Sequence, residues 1–341
     1  MSDSSYGSFE HSEKIAIVQS LLSAMAGDVA TDETVVLSST LGRVSNDGND
    51  AAVSIPSLVL EGRSLEALAV CHAALRAADR QSPPGVLKPM IAELRKVLEK
   101  ELLSPLDIDL VSATRRMHLL PRRSVLIGRP STETPVDVEV NCRWFSRGDR
   151  NLSLFCEGAG WFVEDLGSTN GHSIGGIPLK LGHPVALPVG DTCIDVGAAK
   201  NKPALATLHL HRPAKDPGAV VVTVSGTKAC QAEPHPWPTM MSDMARRWII
   251  FREQIGVSAE EDCALSLDDG PAGVLAAIRY QSGFWIVPSS QGTLQVDEIA
   301  FRESVPMPAG AALSLSGAKL RIELPNPTGH AELAKKQMLV G

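Results

Sequence analysis

The chain has 341 residues, 44% of them apolar, and a formal net charge of −7. That composition supports roughly two or three packed domains and excludes a disordered chain, while the acidic balance argues against a general nucleic-acid binder, which needs a basic face. Cys71, Cys142, Cys156, Cys193, Cys230 and Cys263 occur singly, so neither a zinc ribbon nor a disulfide framework is indicated and buried, reduced thiols are expected.

The N-terminus lacks a basic and then apolar leader, and no apolar stretch reaches the length that crosses a bilayer, so a cytoplasmic location is expected. Residues 1–105 carry helical periodicity. Ser12 is placed to cap a helix with Ile15, Val18, Leu22 and Met25 on one face and Gly27 at its end. A second helix is expected from Ser64, with Leu65, Leu68 and Leu75 aligned, and a third after Pro89, with Ile91, Leu94, Leu98 and Leu102. Between the first two, Val36 to Ser54 reads as a loop or weak hairpin.

After Pro105 the pattern changes to short runs rich in β-branched and aromatic residues: Val125 to Ile127, Val136 to Val140, Leu152 to Phe155, Trp161 to Val163 and Cys193 to Val196. Such runs, separated by Gly, Pro and Asn, predict a β-sandwich over 106–213. Pro213 to Gly218 opens an expected linker, 214–246, which holds a strand-like Val220 to Val224 and the proline-rich Pro234 to Pro238. A second β-domain is expected over 247–325 and a loosely held tail over 326–341. The fold class is therefore mixed and multidomain, with a helical N-terminal region followed by two β-sandwiches.

Three segments carry the chemistry: Gly128-Arg129, Ser146-Arg147, and the run Asp165-Leu166-Gly167-Ser168-Thr169-Asn170-Gly171. A dianionic phosphate needs a cation and several hydrogen-bond donors converging from separate loops, and these segments supply them. Their order and gaps resemble a forkhead-associated (FHA) domain over about Arg116 to Arg212. The resemblance implies a sandwich whose loops at one end hold a phosphothreonine peptide. It gives Arg129 the phosphate, Ser146 and Arg147 further donors, and Thr169 and Asn170 the peptide backbone and the residue beside the phosphothreonine. Gly128 is expected to let the chain turn and Gly171 to adopt a left-handed conformation. Arg122, Arg123, Arg143, Arg147 and Arg150 make the stretch locally basic. One departure stands out: the family pattern Ser-Arg-x-His reads Ser146-Arg147-Gly148-Asp149 here, so an aspartate replaces a loop-bracing histidine. Asp149 can pair with Arg147 or Arg150, or cap the loop's backbone donors, and weaker recognition is expected.

Residues 247–324 can be laid over the first sandwich as a degraded copy, also FHA-like. Ile255-Gly256-Val257 falls on Ile127-Gly128-Arg129, Gly283 to Val287 on Gly160 to Val163, Gly270 to Gly273 on Ser146-Arg147, and Ser289 to Gly292 near the Ser-Thr-Asn-Gly run. Such a copy keeps its core and loses its donors. No nucleotide-binding P-loop, hydrolase elbow or zincin motif occurs. His209 and His211 share a strand face with no third ligand in view, so ordinary histidines are expected and no cofactor or metal is implied. The first expectation is a non-catalytic adaptor in kinase-dependent signalling or assembly, its partner a phosphothreonine protein that is a kinase, a kinase substrate or a neighbouring subunit. Neither nucleic acid nor membrane insertion is expected. The alternative is a phosphate-independent scaffold built from FHA-like modules.

Overall fold

The computed structural model describes residues 5–27, 55–79, 87–104, 107–112, 114–129, 136–140, 144–146, 151–197, 204–226, 245–260, 262–267, 273–290 and 292–325. The expected loop at Val36 to Ser54, the proline-rich stretch, the tail from Asn326 onward, and Arg147 and Asp149 lie outside the described residues. The chain divides into two compact units. One comprises Met1–Leu103 with Gln295–Pro308, and the other Ser104–Leu294 with Ala309–Gly341. No described helix is long and apolar enough to cross a membrane.

The first unit contains α1 (Ser5–Gly27), α2 (Ile55–Leu60), α3 (Ser64–Ala78) and α4 (Leu87–Leu102). In α4, Leu87, Ile91, Leu94 and Leu98 form one buried stripe, the spacing of a helix that packs along one face. α1 begins before the Ser12 cap and buries Lys14, Val18 and Leu21, while Leu22, expected inside, is exposed. Lys14 is tolerated because its Nζ lies 2.8 Å from Glu101 Oε2, and Ser64 Oγ donates to the same carboxylate at 3.1 Å. α2 is too short to show periodicity. It ends at Gly62, whose φ of 74° is left-handed, with Arg63 N donating to Leu58 O and Gly62 N to Val59 O, a glycine-terminated helix end. Burial pushes the Cys71 thiol up to about 12. The expectation of buried thiols fails at Cys193, which is exposed, and at Cys156, which is half-buried.

The second unit is built of strands. Its first sandwich has one sheet in the order β4-β3-β5-β6-β9, formed by β3 (Ser124–Gly128), β4 (Val138–Glu139), β5 (Leu152–Glu157), β6 (Gly160–Asp165) and β9 (Val185–Leu187). The strands that face it run in the order β13-β12-β11-β10-β7-β8. They are β7 (His172–Ile174), β8 (Ile177–Pro178), β10 (Gly190–Val196), β11 (Ala206–Arg212), β12 (Ala219–Gly226) and β13 (Ala245–Phe251). Alternate residues point inward, so Val125, Ile127, Leu154 and Trp161 meet Leu208 and Leu210, together with Val220, Val222, Trp248 and Ile250.

That last group corrects the sequence reading. Val220 and Val222 were expected in a linker and Trp248 and Ile250 in the next domain, yet all four lie in the core of the first sandwich. Each buried aliphatic side chain there stabilises by about 2 kcal/mol. Pro213 to Gly218 is a tight connection between paired neighbours, with Ala219 N donating to Asp216 O. Asp216 also accepts from Gly256 N at 2.9 Å and Ala264 N at 2.8 Å, so the presumed linker is fastened to the second sandwich.

The second sandwich uses β14 (Gln254–Ser258), β15 (Leu265–Ser266), β16 (Val274–Tyr280) and β17 (Phe284–Pro288), side by side in the order β15-β14-β16-β17. After β18 (Leu294–Val296), β19 (Ile299–Phe301) and β20 (Val305–Pro306) come β21 (Ala312–Leu315) and β22 (Ala318–Glu323). The strand preceding β2 (Arg115–Leu120) is β1 (Ile108–Val111). If each half closed on itself, β1 would pair with β11 and β12 with β22. Instead β1 pairs with β22 and β11 with β12, while β2 and β13 run parallel side by side. The leading strand pairs of the two halves are exchanged. A buried network seals the crossing: Asp109 on β1 accepts from His118 and Arg116 on β2, and Arg116 also reaches Glu323 on β22 at 2.6 Å. Burial would raise the Asp109 carboxyl, but these bonds hold it below the usual range.

Candidate functional site

The site is built around Asp165, the last residue of β6. Its Oδ1 accepts from Gly167 N at 2.9 Å and Ser168 N at 2.7 Å, closing a turn that a carboxylate two residues back is suited to make. Its Oδ2 accepts from Ser168 Oγ at 2.6 Å and from His172 N and Nδ1 at 3.0 and 2.8 Å. Burial alone would raise this carboxyl, but the bonds from His172 and Ser168 hold it well below the usual range. The turn requires left-handed backbone at Gly167 (φ 87°) and Gly171 (φ 73°), positions where a Cβ would strain the chain.

This bracket presents Thr169 and Asn170 to the neighbouring loop. Thr169 N donates to Ser146 Oγ at 2.8 Å and Asn170 Nδ2 to Trp144 O at 2.7 Å. Arg129 N donates to Ser146 O at 3.2 Å. The structure therefore brings Arg129, Thr169 and Asn170 onto two segments that are each bonded to the segment carrying Ser146. Because the Ser146 hydroxyl oxygen accepts from Thr169, its proton can be donated elsewhere. Arg147 and Asp149 lie outside the described residues, so their roles are not placed.

Gly128 has a role different from the one expected. It closes β3 without positive φ, and an added Cβ would come 2.1 Å from the Asn151 side chain. Glycine is needed there for space, not for a turn. Arg122, counted above in the locally basic stretch, is paired: Asp107 and Asp137 engage its guanidinium, and Asp137 also accepts from Leu126 N at 2.7 Å.

Sequence reasoning missed three contributors: His172, Asn151 and the Trp144 carbonyl. The signal available for His172 was a polar residue directly after Asn170-Gly171, at the start of a strand buried in the sandwich. Ser168, His172 and Asp165 are not a catalytic relay. Both the serine and the aspartate approach the same ring nitrogen, Nδ1, whereas proton transfer in a triad divides them between the two nitrogens. On the far sheet, His209 Nδ1 meets Cys193 Sγ at 3.4 Å and His211 Nδ1 meets Asp191 at 2.8 Å. Among the described residues no cluster of three or more such groups is arranged for a metal.

The second sandwich repeats the strand frame with a register that differs from the sequence alignment. Ile127 and Gly128 pair with β4 as Val257 and Ser258 pair with β15, and the burial sequence along β3 and β14 is the same. Val257 therefore matches Ile127 and is fully buried core, and Ala259 stands at the arginine position. Across β5 and β6, Leu152 pairs with Asp165, and across β16 and β17, Ala276 pairs with Pro288. Phe284 thus falls on Trp161, as expected, and Pro288 on Asp165. Leu166 N donates to Asn151 O and Ser289 N to Leu275 O, which places Leu275 on Asn151. Ser258 Oγ donates to Gly273 O at 2.8 Å, a bond that Gly128 cannot make.

No protein-family model and no curated protein matches the chain. Among solved structures it is similar to the N-terminal FHA domain from EssC, a component of the bacterial type VII secretion apparatus. That match covers 63% of this chain and 90% of that one, at 9% identity and a TM-score of 0.17.

Proposed function

We propose that the chain is a non-catalytic, FHA-type adaptor whose first sandwich reads phosphothreonine peptides in Ser/Thr-kinase-dependent signalling or assembly. The observation that carries this is the latch between loops: Thr169 N on Ser146 Oγ and Asn170 Nδ2 on Trp144 O, beside Arg129. The latch joins the loops that carry a hydroxyl, a carboxamide and an arginine, a donor set suited to a phosphate and an adjoining peptide backbone. Arg147 adds a second cation in this reading. The second sandwich has Ala259 and Pro288 in place of Arg129 and Asp165, and its role is assembly without phosphate.

The test is calorimetric titration of the full chain with matched phosphothreonine and unphosphorylated peptide pools, beside Arg129→Ala. A fragment from Arg116 to Arg212 is unsuitable, because it lacks the β12 and β13 side chains that fill its core. Phosphate-dependent binding lost in the variant supports a reader. A folded wild-type chain that binds neither pool, or binds both equally, leaves the scaffold function for both sandwiches.

A further inference from the structure

We propose that the rim from Ile177 to Val189 of the first sandwich is a docking surface for an acidic-flanked amphipathic helix of a partner protein. Ile177, Leu181 and Val189 are 74%, 64% and 52% exposed, and Val185 lies between them, also exposed. Single exposed aliphatics are ordinary, but a run of large ones along one edge is the mark of an interaction surface. The rim contains β8 and β9, each the terminal strand of its sheet.

The other half of the chain shows what covers such a rim. Gln295–Pro308 lies between β17 and β21 as this rim lies between β6 and β10, and it clusters with the helical unit. There Phe301 is 5% exposed and Val305 and Met307 are fully buried. Within that unit α3 packs on β19 and α4 on β20. The Phe301 ring meets His72 of α3 edge-on at 6.2 Å, and Glu303 pairs with Arg76 and, at 3.5 Å, with His72. An apolar helix with a charged flank is thus the occupant this edge accepts.

Charge then distinguishes the partner from a second copy. The interval that holds Arg302 and Glu303 in the second half holds Lys180 and His183 in the first, both exposed and with no carboxylate between them. The nearby Glu164 carboxylate accepts from Gly182 N at 2.5 Å, which fixes it on the loop backbone without cancelling its charge. A second copy's α3 would bring Arg76 against Lys180, a like-charge contact, so the helix that fits carries Asp or Glu beside its apolar stripe. Strand addition is disfavoured because Pro178, Pro184 and Pro188 interrupt the edge and both strands are short.

The experiment is selection of a displayed library of amphipathic helices, flanked by acidic or basic residues, against the full chain, with Leu181→Asp and Lys180→Glu as counter-targets. Thermal melting and phosphopeptide titration check that both variants remain folded. The expected result is enrichment of helical-period, acid-flanked sequences whose affinity falls about tenfold or more on Leu181→Asp, as for a central apolar anchor, and whose flank preference reverses on Lys180→Glu. The proposal is overturned by no enrichment, by extended or basic-flanked winners, by binding indifferent to Leu181→Asp, or by self-association of the chain that this substitution abolishes.

Discussion

In the first sandwich β6 ends in Asp165 and the loop beyond it is gathered onto that carboxylate, whereas in the second β17 ends in Pro288, which has neither an acceptor side chain nor a backbone N–H. The strands up to that point share register and burial, so the frame is common and the difference is confined to loop anchors. Where Asp165 organises the turn, Arg129, Ser146, Thr169 and Asn170 are assembled. Where proline stands, the following loop is closed locally, by Ser289 Oγ accepting from Gly292 N at 3.0 Å, and Ala259 occupies the arginine position. The anchor and the cation are lost together, as expected if the anchor's purpose is to present the cation's ligand.

The comparison breaks most strongly at the anchor itself. Asp165→Ala should cost about 3 kcal/mol of folding stability, since it strands several buried donors, and should remove phosphopeptide binding as well; denaturant melts and calorimetry read both. The same carboxyl gives a pH test with a defined sign. Its folded value is depressed, so its stabilisation is present above the unfolded value of about 3.9 and is lost as the pH falls below it. In Asp165→Asn that part of the acid sensitivity disappears.

Arg129→Ala should weaken phosphothreonine binding by about 1.5–3 kcal/mol, the worth of a hydrogen bond to a charged group. Equal loss for unphosphorylated peptide would place Arg129 outside phosphate recognition. Gly128→Ala, which drives a methyl group into Asn151, should destabilise by about 1–3 kcal/mol, and pairing it with Asn151→Ala should recover much of that loss. The smallest effect is expected from Ala259→Arg. A cation without the aspartate-anchored loop should confer no phosphate-dependent binding on a chain already carrying Arg129→Ala, and measurable rescue would show that the second loop is organised without an anchor.

Much of this frame could be read from residue type. The Asp165 to Gly171 run was legible because a carboxylate, a serine and two glycines at fixed spacing have few other uses. The register of the second sandwich was not. Gly256 was matched to Gly128 by identity, but its surroundings differ: an added Cβ would meet the Asp216 carboxylate at 3.3 Å, against 2.1 Å from Asn151 at Gly128. A run of β-branched residues marked Val220 to Val224 as strand-like without naming its neighbour, because residue type reports strand propensity and not which strand lies alongside. His172 escaped notice for a related reason. A buried imidazole is justified only by Asp165 and Ser168, which the fold brings to it.

The exchange of leading strands puts the chain on a timetable during synthesis. β1 leaves the ribosome early but its partner β22 is among the last strands made. At the usual 5–20 residues per second, Val111 waits roughly 10–40 s for Arg321. β11 meets β12 almost at once, so the first sandwich can close while the first hairpin still has an open edge. Whatever shields that edge in the interval, such as a chaperone, is a requirement written by topology rather than by any single residue.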